Sequence, residues 1–140
     1  MNRLLLKPTM MLLVTSVFCV TSGAAQVSLS TAKAAHVQIT HGPELEGASG
    51  HLAIIRWTTN NPGGSPQHYG VVHYGTNPKD LSQTAKNPIR LNPTHTDTVF
   101  RVRMEDLAPG TTYYYKVDSM ESNGKSDGVT STIKNFTMPQ

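Results

Sequence analysis

The sequence predicts an all-β fold, an antiparallel sandwich of six or seven short strands. Three observations predict it. Eleven Gly and nine Pro in 140 residues supply many turns and break long helices. Apolar residues alternate with polar ones over runs of six to ten, and nowhere past residue 35 do they recur at helical spacing for long. Turn clusters separate these runs at short intervals, as in sandwiches.

The elements follow in order. HVQITH (36–41) runs into the turn pair Gly42-Pro43. HLAIIRWTT (51–59) is closed by Asn60, Asn61, Pro62, Gly63 and Gly64. QHYGVVHYG (67–75) ends at Thr76-Asn77-Pro78, and a weaker piece, residues 81–85, reads as a short edge strand. DTVFRVRM (97–104) meets Leu107-Ala108-Pro109-Gly110. TTYYYKVDS (111–119) stops at Ser122-Asn123-Gly124, and VTSTIKNFTM (129–138) finishes the chain.

Alternation assigns the faces, because successive side chains on a strand point to opposite sides. Ala53, Ile55 and Trp57 share one face. Phe100, Val102 and Met104 alternate with Arg101 and Arg103, and two arginines beside Val102 cannot face a core, so the register there is nearly forced. Val72 with Tyr74, and Tyr113, Tyr115 and Val117, complete the inward sets. The expected core is therefore Trp57, Tyr74, Phe100, Val102, Leu107, Tyr113, Tyr115 and Val117. Each large apolar side chain buried is worth roughly 1.5–3 kcal/mol, so about ten suffice for a domain of ~100 residues without cross-links.

Ahead of the strands lies a different composition. A basic start (1–7) precedes an apolar run (10–20) and the small residues Thr21, Ser22, Gly23, Ala24 and Ala25. This is the layout of a secretory signal peptide cleaved near Ala25. Eleven apolar residues fall short of the roughly 20 that a membrane-spanning helix needs. The sequence thus divides into a signal peptide (1–25), a loose leader (26–35) and a domain (36–140), exported to the periplasm or the medium, with no membrane span after cleavage. The single cysteine, Cys19, falls in the leading segment. The remaining chain has no thiol for a disulfide, a nucleophile or a thiolate metal site. The formal charge of +3 includes Arg3 and Lys7 of that segment; without them ten cations face nine acids. This near-neutral balance gives no sign of a nucleic-acid reader, which needs a basic patch or stripe.

The domain resembles a fibronectin type III module, an immunoglobulin-like sandwich of seven strands. Leu107-Ala108-Pro109-Gly110-Thr111-Thr112-Tyr113 matches that family's L-x-P-G-T-x-Y signature, Trp57 its core tryptophan, and Asn135-Phe136-Thr137 the F-x-T-like end of its last strand. The resemblance implies that the Tyr113 hydroxyl bonds back to upstream backbone at a corner between the sheets. Within that superfamily the chain is similar to the N-terminal domain of purple acid phosphatases. Residues 54–59 (IIRWTT), 72–75 (VHYG) and 109–117 (PGTTYYYKV) fit its I-x-W-x-T, V-x-Y-G and P-G-T-x-Y-x-Y-x-V elements in order. In those enzymes the dinuclear metal site belongs to a following metallophosphoesterase domain, whose G-D-x-x, G-N-H-E and G-H-x-H motifs have no counterpart before the sequence stops at Gln140. The resemblance therefore implies the accessory domain and not the catalyst.

The residues themselves point to no catalytic, cofactor or metal site. The six histidines include two pairs, His36/His41 and His68/His73, each five apart. Odd spacing puts the members of a pair on opposite strand faces, and the histidines read as scattered over the surface. No G-x-S-x-G elbow occurs. The acids Asp80, Glu105, Asp106, Glu121 and Asp127 read as turn residues, with no two singled out as a catalytic pair. Asn135-Phe136-Thr137 is a formal glycosylation acceptor. What remains is a surface. If Val72 and Tyr74 point inward, Tyr69, Val71 and His73 point outward, next to Tyr114 and Lys116 of the strand that pairs with them. Aromatic residues clustered on a sheet face suit protein or carbohydrate contact; the plainer reading is that Tyr and Val fit any strand's outer side, or that the leader covers them. A second outward pair, Leu52 and Ile54, lies on the other sheet. The functional expectation is a secreted, non-catalytic binding module without a cofactor. The alternative is a detached accessory domain acting with a separate catalytic chain.

Overall fold

The computed structural model describes residues 32–140; the expected signal peptide and the first part of the leader (26–31) lie outside the described residues. Eight strands follow in order: β1 (Ile39–Ser49), β2 (Leu52–Asn60), β3 (Gln67–Gly75), β4 (Gln83–Arg90), β5 (Asp97–Met104), β6 (Thr112–Glu121), β7 (Ser126–Thr130) and β8 (Lys134–Thr137). All pairings are antiparallel. They form a three-stranded sheet, β1-β2-β5, facing a five-stranded sheet, β4-β3-β6 with β7 and β8 both on β6. Among the described residues no helix is long and apolar enough to cross a membrane.

The core lies where alternation puts it. Trp57 is 1% exposed and stacks on Phe100 with ring centroids 5.2 Å apart, its partner across the β2–β5 ladder. Ile55, Val72, Tyr74, Val102, Met104, Leu107, Tyr113, Tyr115, Val117 and Phe136 belong to the same buried cluster. Burial pushes the Tyr115 phenol up to about 12, with a small push from the Glu44 charge. Gly70 on β3 makes room for the indole: a Cβ there would lie 3.0 Å from Trp57, Phe100 and Val102 atoms. The Tyr113 hydroxyl accepts from the Ala108 N–H at 3.0 Å, the corner bond that the L-x-P-G-T-x-Y stretch implies.

Four boundaries differ from the sequence reading. The strand count is eight because the last run divides: β7 pairs the second half of β6, β8 the first half. At the break the Ser131 hydroxyl takes the Val117 N–H at 3.0 Å, a bond that alternation does not announce. Gly42-Pro43 is no turn; it sits inside β1 at a shift of register between His41 and Glu44. As an edge strand β1 has a free side, which tolerates a proline and a bulge. The edge strand expected at 81–85 is β4, displaced to 83–90, with Pro88 again on an edge. Finally, the described end of the leader is docked: the Ala34 N–H donates to the Pro62 carbonyl at 2.9 Å.

Candidate functional site

The outer face of the five-stranded sheet is set by the register of β3. Tyr69, Val71 and His73 lie opposite Pro88, Lys86 and Thr84 of β4 on one side and Met120, Asp118 and Lys116 of β6 on the other. Tyr114 follows opposite Gly75. Residues two apart on a strand share a face, so Tyr69, Val71, His73, Tyr114 and Lys116 come together with Lys86 and Arg90 on one surface. Tyr69, His73, Tyr114 and Lys116 are half-buried, Lys86 and Arg90 exposed. Among the described residues no third layer lies over them.

Val71 is the exception. It points outward but is 1% exposed, so it belongs under the surface and not on it. Its cross-strand partners are Lys86 and Asp118. The Lys86 Nζ lies 5.9 Å from the centre of the Tyr69 ring, and Asp118 takes the His73 Nε2 at 2.9 Å. The first is a cation–π contact; the second fixes the imidazole. Thr84 Oγ1 lies 3.4 Å from His73 Nδ1. Threonine, histidine and carboxylate thus follow in the order of a nucleophile relay, but the hydroxyl contact is long and an open sheet face offers no arranged oxyanion donors, so the arrangement does not meet the demands of nucleophilic catalysis.

A second constellation escaped the sequence reading. His68 is not on the surface: it is 0% exposed, on the inward side of β3. Its Nδ1 lies 2.9 Å from Asp127 Oδ2 and its Nε2 3.0 Å from the Gly63 carbonyl. The Ser119 hydroxyl donates to the same carboxylate oxygen at 2.7 Å, and Lys33 reaches in to bond Glu121, with its Nζ 3.6 Å from Asp127 Oδ1. Asp127 is thus a buried member of β7 and not a turn acid, and Glu121 is buried at the end of β6. Burial disfavours the Asp127 charge, yet the hydrogen bonds from His68 and Ser119 and the charges of His68 and Lys33 outweigh it and hold the carboxyl below its usual range. The bond to Glu121 raises the Lys33 ammonium, against a smaller opposing effect of burial.

Serine, histidine and aspartate meet here, but in the wrong order for acyl transfer. The carboxylate sits between Ser119 and His68, so the imidazole cannot take the serine proton. The cluster is a clasp instead. It ties β7 to β3, and Lys33 ties the leader to β6 and β7. Gly63 has φ +60, and a Cβ there would overlap the Ala32 carbonyl, so the leader's backbone closes on a position that only glycine fills comfortably. No sequence signal pairs residues 59 apart. The only hint is a histidine at an inward position of β3. Among the described residues no three of His, Cys, Asp and Glu converge as a metal site.

The outer side of the three-stranded sheet is different again. Arg56 pairs with Glu44 at 3.2 Å, Arg101 with Glu46 at 2.9 Å and Arg103 with Glu105 at 2.7 Å. Leu52 and Ile54 are half-buried between them.

Comparison with known proteins agrees with this architecture. The sensor domain of the anti-sigma factor RsgI4 from Pseudobacteroides cellulosolvens superposes with a TM-score of 0.50 at 17% identity, over 74% of this chain and 89% of that one. At that identity the likeness is one of fold alone. No curated protein matches the sequence. The sequence pattern of the purple acid phosphatase N-terminal domain, however, matches residues 44–138, from β1 through β8 and including the Trp57 and Tyr113 positions that hold the core. The part of the enzyme it describes is the sandwich that accompanies the catalyst. The chain therefore belongs to the purple acid phosphatase N-terminal domain family.

Proposed function

We propose that this protein is an exported, non-catalytic sandwich module that binds a protein or carbohydrate partner through the outer face of its five-stranded sheet. One observation carries the reading: Tyr69, Tyr114, His73 and Lys116 share one face with no described layer over it, and tyrosines are among the residues that dominate binding surfaces. Family membership supports the non-catalytic role, since the matched domain is the accessory one. The basic, apolar and small-residue order of residues 1–25 supports export to the periplasm or the medium.

The test is a glycan array and a pull-down with the purified protein, repeated with Tyr69→Ala and Tyr114→Ala together. Retention of a partner that the double variant loses, while thermal melting is unchanged, supports the face as the site. A partner held equally by the variant contradicts it. Family membership also favours a second reading, an accessory domain that assembles with a separate metallophosphoesterase chain. Co-elution with such a chain, and a change in its phosphate-ester hydrolysis, would distinguish this reading from the first.

A further inference from the structure

The two outer faces handle charge in opposite ways. On the three-stranded sheet every arginine, Arg56, Arg101 and Arg103, has its own glutamate. On the five-stranded sheet Lys86, Arg90 and Lys116 stand on the side of Tyr69 and Tyr114, and none is in an ion pair among the described residues. Residues 1–31 contain no acidic side chain, so the leader holds no acid to complement them. The acid among the paired strand positions of this face, Asp118, is already bonded to His73. The chain as a whole is close to neutral once Arg3 and Lys7 are set aside. The positive excess is therefore a property of one face and not of the molecule.

We infer that the partner of this face is an acidic protein surface, recognised by carboxylates that meet Lys86, Arg90 and Lys116 around the two tyrosines. The inference rests on the proposed binding face and adds the chemistry of what binds there. An unneutralised set of cations beside aromatics attracts carboxylates over about a Debye length of ~8–10 Å at ordinary salt and selects sign as well as shape. A stacked sugar fits less well, because Lys86 already lies over the Tyr69 ring. The described end of the leader does not compete: Lys33 turns away from this face, to Glu121 and Asp127 on the inward side of β6 and β7.

Fluorescence anisotropy with labelled poly-L-glutamate as the acidic polypeptide, and labelled polygalacturonate as the acidic polysaccharide, tests this directly. Poly-L-glutamate is expected to bind, to weaken steeply with added salt, and to weaken by on the order of tenfold or more in the Lys86→Glu, Lys116→Glu variant. Arg101→Gln, on the opposite face, is expected to leave binding unchanged. Should the double reversal fail to fold, Lys86→Gln with Lys116→Gln removes the same charges more gently. Absence of poly-L-glutamate binding, indifference to the charge variants, or tighter binding of polygalacturonate each overturns the inference. A partner captured in the array or pull-down that is lost with Tyr69→Ala and Tyr114→Ala, yet ignores both salt and the lysine variants, keeps the binding face and overturns only its acidic complement.

Discussion

The outer surfaces of the two sheets are made from similar strands and end in different chemistry. On the three-stranded side each arginine leans on a glutamate. On the five-stranded side tyrosines and cations share a face on which the strand acid Asp118 is taken by His73. Local pairing decides the difference, not composition: the charges of residues 32–140 come close to balance, while the register of β3, β4 and β6 gathers the unmatched cations on one plane. A sandwich can keep one face inert and offer the other without any change to the core between them.

Both faces ride on one core, and a substitution at its centre should unsettle them together. Trp57→Ala should cost about 3–5 kcal/mol through lost burial and a cavity, and urea melts followed on either sheet should coincide. Separate transitions for the two sheets would break the comparison. Asp127→Ala should cost about 3 kcal/mol, since it leaves the His68 Nδ1 and the Ser119 hydroxyl buried without their acceptor. Its damage should be local: hydrogen exchange should rise first at Ala34 and along β7, while β2 and β5 stay protected. Gly70→Ala should cost about 1–3 kcal/mol by crowding the indole, measured by the same melts. Tyr113→Phe removes one corner bond and should cost about 0.5–1.5 kcal/mol. Smallest of all, Arg101→Gln and Lys86→Gln should each change stability by no more than about 0.5 kcal/mol; a larger loss for either would assign that face a structural role.

Acid sharpens the contrast between the buried clasp and the exposed pairs. Asp127 titrates below its ordinary range in the folded protein, so the stability it contributes is complete above the unfolded carboxylate range and is lost as pH falls through its lowered native value. Lys33, raised by its bond to Glu121, contributes fully below its unfolded value and loses that contribution as pH rises past the raised one. Melting followed from neutral pH downward should therefore steepen only in strong acid, and Asp127→Asn should flatten that limb.

Much of this fold is legible in sequence because period-two patterning reports on one strand at a time. Arg101 and Arg103 beside Val102 fix a register without any partner, and Leu107 through Tyr113 spells out a corner. What patterning cannot report is contact between distant residues. His68 and Asp127 find each other across the intervening β6, and the alternation that places His68 inward says nothing of a carboxylate waiting there. Val71 shows the same limit on the outside: alternation gives the direction of a side chain but not its exposure, and Val71 points outward at 1% exposed. Gly42-Pro43 carries turn chemistry and sits in an edge strand, because a free side lets β1 bulge where an inner strand would end.

Chemical-shift mapping during titration with poly-L-glutamate shows directly whether the five-stranded face is the surface that binds. Perturbations are expected at Tyr69, His73, Lys86, Arg90, Tyr114 and Lys116, with β2 and the arginines of β5 silent. Perturbations centred on Arg56, Arg101 and Arg103, or spread evenly over both sheets, would contradict binding by that face.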